Sequence, residues 1–349
     1  MANYRKIIDN LASGVRVDGA ALAELIGPAE AQVREYAAGL AREVAEQHFG
    51  KGVFLRGLVE ISNRCSRGCY YCGLRAENDA VRRYALEEEE IVAACGEGYE
   101  LGFRSFVLQG GELHNIEQEI ANLTRRLKHD MADAALTLSL GEQSEATYRA
   151  WREAGADRYL LRHETASPDH YAMLHPSWMS YESRLECLEV LHRLGYQRGA
   201  GFMVGSPWQT EDNLAQEIEF LGRLQPEMVG IGPFVPQSAT PFAKQERGSV
   251  ERTLLMISLV RLTLPKALIP ATTALASSDE AGTVRGVLAG ANVVMPNITP
   301  ARVRGDYAIY DGKKSFGSES GEGVALLTEE LARVGYEARM TRGDHPDYE

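Results

Sequence analysis

Residues 53–72 read VFLRGLVEISNRCSRGCYYC, and this stretch is the clearest indication of how the chain folds. Its first half is largely apolar, as expected of a strand that is buried on both faces of a sheet. Three cysteines, Cys65, Cys69 and Cys72, follow directly after the predicted strand. A buried strand that leads into a cysteine-rich loop predicts a metal site at the carboxyl end of a parallel sheet.

Strand-like and helix-like stretches alternate from this point to about residue 334. Short strands separated by helices pair in parallel through right-handed crossovers. We therefore predict an α/β protein with a single domain that forms a full (β/α)8 TIM barrel. The eight predicted strands are residues 53–62, 105–109, 135–140, 158–161, 199–204, 228–234, 268–273 and 291–296.

Further helical segments flank the predicted barrel. Residues 21–46 are alanine-rich and helical, with a break near Gly27-Pro28, and the chain after Tyr336 is polar. We expect an N-terminal helical extension over residues 1–50, the barrel core over 51–310, and a C-terminal helix and tail over 311–349. The extension should pack across the bottom or side of the barrel, and the tail should extend over the surface.

A doubly wound open sheet is the alternative architecture, because the number of elements does not show whether a sheet closes. Polar residues at or just past the predicted strand ends favour the barrel, since catalytic groups of barrels gather at that rim. Besides the cysteines, these residues are Gly110, Gly111, Glu112, Ser139, Glu142, Arg162, Glu164, Thr272, Thr273 and Asn297.

Composition narrows the class of protein. The formal net charge of -12 disfavours nucleic acid and anionic membranes as partners. The N-terminus lacks the apolar core of a signal peptide, and no apolar stretch is long enough to span a bilayer, so we expect a cytoplasmic protein. Three of the five cysteines are clustered, which is typical of a metal site in a reducing compartment. Cys95 and Cys187 stand alone in helical stretches and should be buried thiols.

The CxxxCxxC spacing suits an iron-sulfur cluster. Three thiolates can bind three corners of a 4Fe-4S cubane and leave the fourth iron without a protein ligand. That iron can chelate the amino and carboxylate groups of S-adenosylmethionine (SAM), whose reductive cleavage gives methionine and a 5′-deoxyadenosyl radical. A zinc site is the alternative, but structural zinc normally has four protein ligands.

These features resemble the radical SAM superfamily of enzymes. Tyr71, just before the last cysteine, stands where the superfamily places an aromatic residue against the adenine, although its ring could simply pack on the loop. Gly110-Gly111-Glu112 resembles the superfamily's GGE element, in which small residues let the backbone approach the methionine moiety and the acid binds its amino group.

Several longer stretches resemble HydE, the radical SAM family of FeFe-hydrogenase maturases. The likeness covers roughly residues 50 to 310. It is carried by YCGLR from Tyr71, TLSLGE from Thr137, AGADRYLLRHETA from Ala154, MVGIGPFVP from Met228, IPATTA from Ile269 and GANVVMPN from Gly290.

The resemblance implies roles for individual residues. Ser139, Arg162 and Glu164 would belong to the SAM site, with Glu164 on the ribose. Arg184 would hold the SAM carboxylate, and it shares an apolar helix stripe with Leu188 and Leu191, so that its inward-facing guanidinium needs an anion. A structural pair with a carboxylate such as Glu164 is the alternative.

Four residues would line the barrel interior near the substrate: Met203, Thr272, Thr273 and Met295. For the two methionines, core packing is an equal alternative. Tyr307 and Tyr310 could cap the bottom of the barrel or merely pack there.

The same resemblance implies substrate and partners. The substrate would be a cysteine-bound iron carbonyl cyanide complex from the maturase HydG, the radical would attack its sulfur, and the product would pass to the scaffold HydF during assembly of the dithiomethylamine bridge. A low-potential ferredoxin or flavodoxin would supply electrons. Some HydE proteins carry an auxiliary 2Fe-2S cluster, but residues 313–323, KKSFGSESGEG, contain no cysteine, so we expect none here.

Two other functions stay open from the sequence. A methylornithine synthase-like lysine mutase shares the barrel and the cluster. A noncatalytic iron-sulfur or metal carrier would keep the cluster loop but would leave Glu112, Glu164 and Arg184 without a task. Biotin synthase would need a second cluster, for which the chain has no spare set of cysteines.

Overall fold

The computed structural model describes residues 2–27, 30–314 and 320–348. Within them, the helices are α1 (Ala2–Ala12), α2 (Gly19–Ile26), α3 (Ala31–Phe49), α4 (Glu88–Glu100), α5 (Glu117–Asp130), α6 (Glu145–Glu153), α7 (Pro168–Leu174), α8 (Tyr181–Arg193), α9 (Glu211–Leu224), α10 (Val250–Thr263), α11 (Thr273–Ser278), α12 (Gly282–Leu288), α13 (Ala301–Arg304) and α14 (Ser320–Arg333). The strands are β1 (Gly52–Leu55), β2 (Gly57–Ser62), β3 (Ser105–Gly110), β4 (Ala135–Ser139), β5 (Arg158–Leu160), β6 (Gln197–Val204), β7 (Met228–Pro233), β8 (Val293–Val294) and β9 (Glu337–Arg339).

Six strands form one parallel sheet in the order β2-β3-β4-β5-β6-β7. Every residue of β2, β6 and β7 is buried, because helices cover the outer face and side chains fill the inner one. The strand order follows the chain without the reversal that defines a doubly wound sheet. The prediction of an α/β fold with a parallel sheet is confirmed.

The remaining strands differ from the prediction. The predicted strand 53–62 is two strands, β1 and β2, separated at Arg56, and the predicted strand 291–296 shortens to β8. The predicted strand 268–273 is wrong: only isolated parallel bridges form there, with β7 at Leu268 and Ala271 and with β8 at Pro270. Pro270 has no N–H to donate, which interrupts a regular ladder.

A second parallel sheet has the order β8-β1-β9, and an isolated parallel bridge joins Leu58 of β2 to Asn297 just after β8. The full eight-stranded barrel is thus not present as eight regular strands.

The N-terminal helices pack on the outside of the sheet. The predicted helical break is present between α2 and α3, although Pro28 itself lies outside the described residues. Helices α1 and α3 pack on α10, and α2 packs on α9. In the described part of the chain, no helix is long and apolar enough to cross a membrane.

The C-terminal tail extends over the surface as expected, since Gly343 is the one buried residue among the described residues 337–348, but it is also attached to the strands. Its strand β9 pairs in parallel with β1, and Asp344 forms an ion pair of 2.5 Å with Arg158, the first residue of β5. Gly343 lies so close to Phe54 that an added Cβ would be 2.8 Å from its ring. The tail therefore lies against the amino ends of the strands, the end of the sheet opposite the cysteine loop.

Candidate active site at the carboxyl ends of the strands

The cysteine loop leaves β2 at the carboxyl edge of the sheet. Cys65, Cys69 and Cys72 are half-buried free thiols. Backbone N–H groups donate to two of the sulfurs: Arg67 and Glu112 to Cys65 Sγ, at 3.4 and 3.3 Å, and Leu74 to Cys72 Sγ, at 3.4 Å. Such N–H···S bonds stabilise thiolate ligands of iron-sulfur clusters.

The raised pKa values of the three thiols suit a site that binds a cation. Burial raises the pKa of Cys69 to about 12 and raises the pKa values of Cys65 and Cys72 as well. Metal ligation requires the thiolate form, so the positive charge of bound iron would offset this desolvation. Among the described residues, no three His, Cys, Asp or Glu side chains converge on a single metal ion.

The predicted glycine pair, Gly110 and Gly111, brings the end of β3 against the cysteine loop. A Cβ on Gly111 would lie 2.2 Å from Arg64 O and 2.7 Å from Cys65 Cβ. Only a glycine allows this approach, which also positions Glu112 N to donate to Cys65 Sγ. The neighbouring Gly110 is the last residue of β3 and pairs with Ser62.

Four charged side chains form a buried network beside the loop. Arg67 binds the Glu112 carboxylate through Nε and lies 3.3 Å from Glu142 Oε2 through Nη2. Arg184 Nε donates to Glu142 Oε1 at 2.5 Å, and Glu142 N donates to Glu112 Oε2 at 2.8 Å. Burial raises the pKa of Glu112. The two arginines and two glutamates balance each other, which is what a buried charged cluster requires.

This network shows which carboxylate pairs with Arg184. Arg184 faces inward as predicted and does have a carboxylate partner, but that partner is Glu142 rather than Glu164. The sequence places Glu142 at the rim of the predicted barrel but indicates no function for it. Its central position could not be read from the sequence, because its partners come from the cysteine loop, the end of β3 and α8.

Arg162 and Glu164 lie side by side just after β5. Arg162 Nη2 is 3.1 Å from Glu164 Oε2, yet Arg162 Nε, Arg162 Nη2 and Glu164 Oε2 are buried without a hydrogen-bond partner. Glu164 also has a backbone φ of 67°, in the left-handed region that residues with a Cβ seldom adopt. Buried polar atoms that have no hydrogen-bond partner among the described residues, together with a strained backbone at one of the two residues, are typical of a ligand site.

The aromatic residue of the cysteine loop is held by a histidine. His175 Nδ1 lies 2.9 Å from the carbonyl oxygen of Tyr171, which can only accept, so Nδ1 carries the proton. Burial lowers the pKa of His175 to about 3, so the ring is neutral and Nε2 accepts from the Tyr71 hydroxyl at 3.1 Å. His175 also stacks on Tyr171 at 3.9 Å between ring centroids. Tyr71 is therefore fixed through its hydroxyl.

Comparison with known proteins agrees with this geometry. A sequence profile described as the radical SAM superfamily matches residues 59–221. The chain is 44% identical over 275 residues to the [FeFe] hydrogenase maturase subunit HydE of Thermotoga maritima, which covers 78% of each chain. The chain belongs to the HydE family of radical SAM enzymes.

More distant relatives carry the alternative function. The 3-methylornithine synthase of Methanosarcina acetivorans is 29% identical over 258 residues, covering 73% of this chain and 72% of the synthase. A crystal structure of methylornithine synthase (PylB) superposes with a TM-score of 0.84 at 25% identity, covering 96% of this chain and 98% of that one. The fold is therefore shared with the mutase, while sequence identity is higher to HydE.

The other predicted site residues of this HydE-family chain do not all come together. Met203 packs with Leu174, Phe234 and Phe242, beside Tyr70 and Tyr71 of the cysteine loop, whereas Met295 packs beside Phe49, Met228, Leu268 and Val293. Thr272 Oγ1 donates to Ile231 O at 3.0 Å and precedes α11, which Thr273 begins. Ser139 is half-buried at the end of β4. The two methionines thus belong to separate apolar clusters.

Sequence analysis missed a buried polar group centred on Glu60, in the middle of β2. Glu60 is fully buried, forms an ion pair with Lys313 and accepts from Asn297 Nδ2 at 3.0 Å. Burial raises its pKa. Lys313 also lies 5.1 Å from the ring centroid of Tyr307. A carboxylate within the apolar run LVEIS was the available signal. Residues 315–319 of the stretch expected to lack an auxiliary cluster lie outside the described residues.

Proposed function

We propose that this chain is a maturase of FeFe-hydrogenase that reductively cleaves SAM and couples the adenosyl group to the sulfur of a cysteine-bound iron carbonyl cyanide complex. The observation that supports it best is the 44% identity to HydE together with the unsatisfied Arg162 and Glu164 beside the cysteine loop. The substrate would come from HydG and the product would pass to HydF during assembly of the dithiomethylamine bridge. A low-potential ferredoxin or flavodoxin would be the electron donor.

On this proposal, Cys65, Cys69 and Cys72 hold one 4Fe-4S cluster with an open iron. The cluster and SAM, when bound, supply reductive cleavage to methionine and a 5′-deoxyadenosyl radical. We propose that no auxiliary 2Fe-2S cluster accompanies it.

The residues around the loop divide the recognition of SAM between them. Glu112 binds the amino group and Arg184 the carboxylate, while Gly110 and Gly111 let the backbone approach the methionine moiety. Tyr71 lies against the adenine, Glu164 binds the ribose, and Arg162 and Ser139 complete the site. The network of Arg67, Glu112, Glu142 and Arg184 supports this division. It holds the Glu112 carboxylate and the Arg184 guanidinium in place before the amino and carboxylate groups of SAM bind.

We also propose that the sheet closes into a (β/α)8 barrel with the substrate inside. The parallel bridges of residues 268–271 with β7 and β8, and of Leu58 with Asn297, support closure between the ends of the six-stranded sheet. A closed lumen would exclude water and competing hydrogen donors from the radical. Residues 1–50, 51–310 and 311–349 would be the helical extension, the barrel core, and the C-terminal helix and tail.

The substrate side of the lumen is assigned to Met203, Thr272, Thr273 and Met295, together with the buried Glu60–Lys313 pair. The polar members can hold the amino and carboxylate groups of a cysteine ligand, and the methionines provide adaptable apolar contact. Because Met203 and Met295 pack in separate clusters, they would contact different parts of the substrate.

The experiment offers two substrates in parallel to the anaerobically reconstituted protein with SAM and dithionite. We expect 5′-deoxyadenosine without substrate, and SAM-dependent modification of the iron-cysteine complex but no reaction with lysine. Conversion of lysine to methylornithine, with no response to the iron complex, would show a mutase. Iron transfer to a partner without any SAM cleavage would instead show a metal carrier.

A further inference from the structure

A buried histidine-glutamate pair lies directly behind the turn that carries Arg162 and Glu164. His163 Nε2 is 2.7 Å from Glu217 Oε2, and both side chains are 0% exposed. Glu217 belongs to α9, whose other buried residues are apolar: Leu214, Ala215, Ile218, Phe220 and Leu221. Burying a carboxylate among apolar side chains costs free energy, so Glu217 must be stabilised by its hydrogen bonds.

The hydrogen bonds determine the protonation of this pair. Gly201 N–H lies 3.2 Å from His163 Nδ1, and because a backbone N–H can only donate, Nδ1 is the acceptor. A neutral imidazole then carries its proton on Nε2 and donates it to Glu217. The second oxygen of Glu217 accepts from Ala166 N–H at 2.6 Å. Glu217 is therefore an acceptor at both oxygens, as only a carboxylate can be.

The same contacts fix the turn at two places. His163 is tied to β6 through Gly201 and to α9 through Glu217, and Ala166 is tied to α9 through the same carboxylate. Between these two anchors lies Glu164, whose N–H donates to Gly201 O at 2.9 Å and whose carbonyl accepts from Met203 N–H at 3.3 Å.

Glu164 needs such anchoring because its φ of 67° is unfavourable for a residue with a Cβ. A residue stays in this region only when its surroundings over-determine its conformation. Relaxation of the turn would rotate the Glu164 carboxylate and the neighbouring Arg162 guanidinium together, because their ion pair of 3.1 Å joins them to each other and not to another part of the described structure.

We propose that His163 and Glu217 are positioning residues that lock the turn and thereby present Arg162 and Glu164 to SAM. This rests on the proposed function, in which those two residues belong to the SAM site. The pair never touches SAM. It acts from the outer face of the sheet, where His163 also packs 4.7 Å from the ring centroid of Phe220.

Three substitutions separate the two anchors. In Glu217→Gln the amide has one acceptor, and its NH2 would face the N–H of either His163 or Ala166, so one anchor is lost. His163→Asn keeps an acceptor near Gly201 but loses the donor to Glu217. His163→Gln keeps a donor at the position of Nε2. Leu221→Ala, on the same buried face of α9, is the control for lost packing.

The primary measurement is the SAM dissociation constant of the reconstituted protein, at a temperature where each variant is folded. We expect Glu217→Gln and His163→Asn to raise it about 10-fold, and His163→Gln and Leu221→Ala to raise it much less. Equal values for all four variants, or a rise in Leu221→Ala matching that in Glu217→Gln, would overturn the proposal. If Glu217→Gln does not fold, the two His163 variants decide.

A second measurement needs neither cluster nor SAM. Hydrogen exchange of the Glu164 and Ala166 amides in the cluster-free protein should accelerate in Glu217→Gln and His163→Asn but stay at the wild-type rate in Leu221→Ala. Unchanged exchange in the first two variants would overturn the lock. If wild-type protein binds no SAM, the proposed function fails, while this exchange experiment still tests the lock itself.

Discussion

Arg158 and Arg162 lie four residues apart, at opposite ends of β5, and the chain treats them differently. Arg158, at the amino end, is 0% exposed and each of its nitrogens donates: Nε to Gln197, Nη1 to Ser105, and Nη2 to Arg342 O and Asp344. Arg162, at the carboxyl end, is 31% exposed, and its Nε and Nη2 have no hydrogen-bond partner.

The difference separates stability from function along a single strand. A buried guanidinium without partners is costly, so a fold that needs it only for stability would supply them, as the tail supplies them to Arg158. At the cysteine edge Arg162 and Glu164 pair only loosely with each other at 3.1 Å, and Arg162 Nε, Arg162 Nη2 and Glu164 Oε2 have no hydrogen-bond partner among the described residues. We interpret the carboxyl ends as built for a ligand and the amino ends as built for cohesion.

The cysteines test the functional end with the largest expected effect. Cys65→Ala, Cys69→Ala or Cys72→Ala should each reduce the iron content from about four per chain and abolish SAM cleavage, because three thiolates are the minimum that leaves one iron open. The buried Cys95→Ala and Cys187→Ala are matched controls and should keep both. About six irons per chain in the wild type would instead indicate a second cluster.

Arg184 sharpens the comparison because it belongs to both categories. Arg184→Met should weaken SAM binding about 100-fold by removing the carboxylate fork. It should also lower the free energy of unfolding by about 3 kcal/mol, because Glu142 stays buried after losing its closer arginine and keeps the longer, 3.3 Å contact with Arg67. Adding Glu142→Gln should restore much of the stability but none of the affinity. Normal SAM binding by the unstable single variant would make Arg184 purely structural.

Asp344 tests the structural end. Burial opposes ionisation there, but Arg158, Gln197 and Arg342 lower the pKa of Asp344 to about 2 from 3.8. Because the folded-state pKa is depressed, the stabilisation is fully present well above the unfolded pKa of 3.8 and is lost as the pH falls through 3.8 towards 2. In urea unfolding of cluster-free protein, Asp344→Asn should cost about 2 kcal/mol at pH 7 and much less at pH 3.

Asp347→Asn is the control for this prediction. Asp347 is exposed and pairs with Lys266 on the surface, so its loss should change stability little. A loss equal to that of Asp344→Asn would mean that the tail contributes through general charge rather than through its contact with Arg158.

The sequence predicted the parts of the molecule that depend on local pattern. Buried strands, crossover helices and the cysteine loop follow from apolar runs and spacing, and Gly111 followed from a recognisable motif. The prediction of a strand at residues 268–273 was wrong. The stretch is largely apolar, but Pro270 has no N–H to donate to a strand ladder. The position of the tail on the surface followed from its polar residues, but the ion pair between Asp344 and Arg158 did not, because it joins segments far apart in the chain.

The site was predictable in its residues but not in its pairings. Arg184 and Glu164 were found, yet the Arg184–Glu142 pair, the left-handed Glu164 and the His163–Glu217 pair all depend on contacts between distant segments. Sequence periodicity carries no information on such contacts. Glu60 is different, because a carboxylate inside an apolar strand is a local feature of the sequence that indicates a buried polar group.

The most direct test of the account is to compare the urea unfolding of Arg158→Met and Arg162→Met in cluster-free protein at pH 7. Arg158→Met should lower the free energy of unfolding by about 3 kcal/mol, because it breaks a buried pair and removes one donor each from Asp344, Ser105 and Gln197. Arg162→Met should change it by about 1 kcal/mol or less, because its ion pair with Glu164 has no hydrogen bond to lose and Arg162 is 31% exposed, so that water can solvate the carboxylate left behind. Equal losses in the two variants would contradict the division between a structural and a functional end.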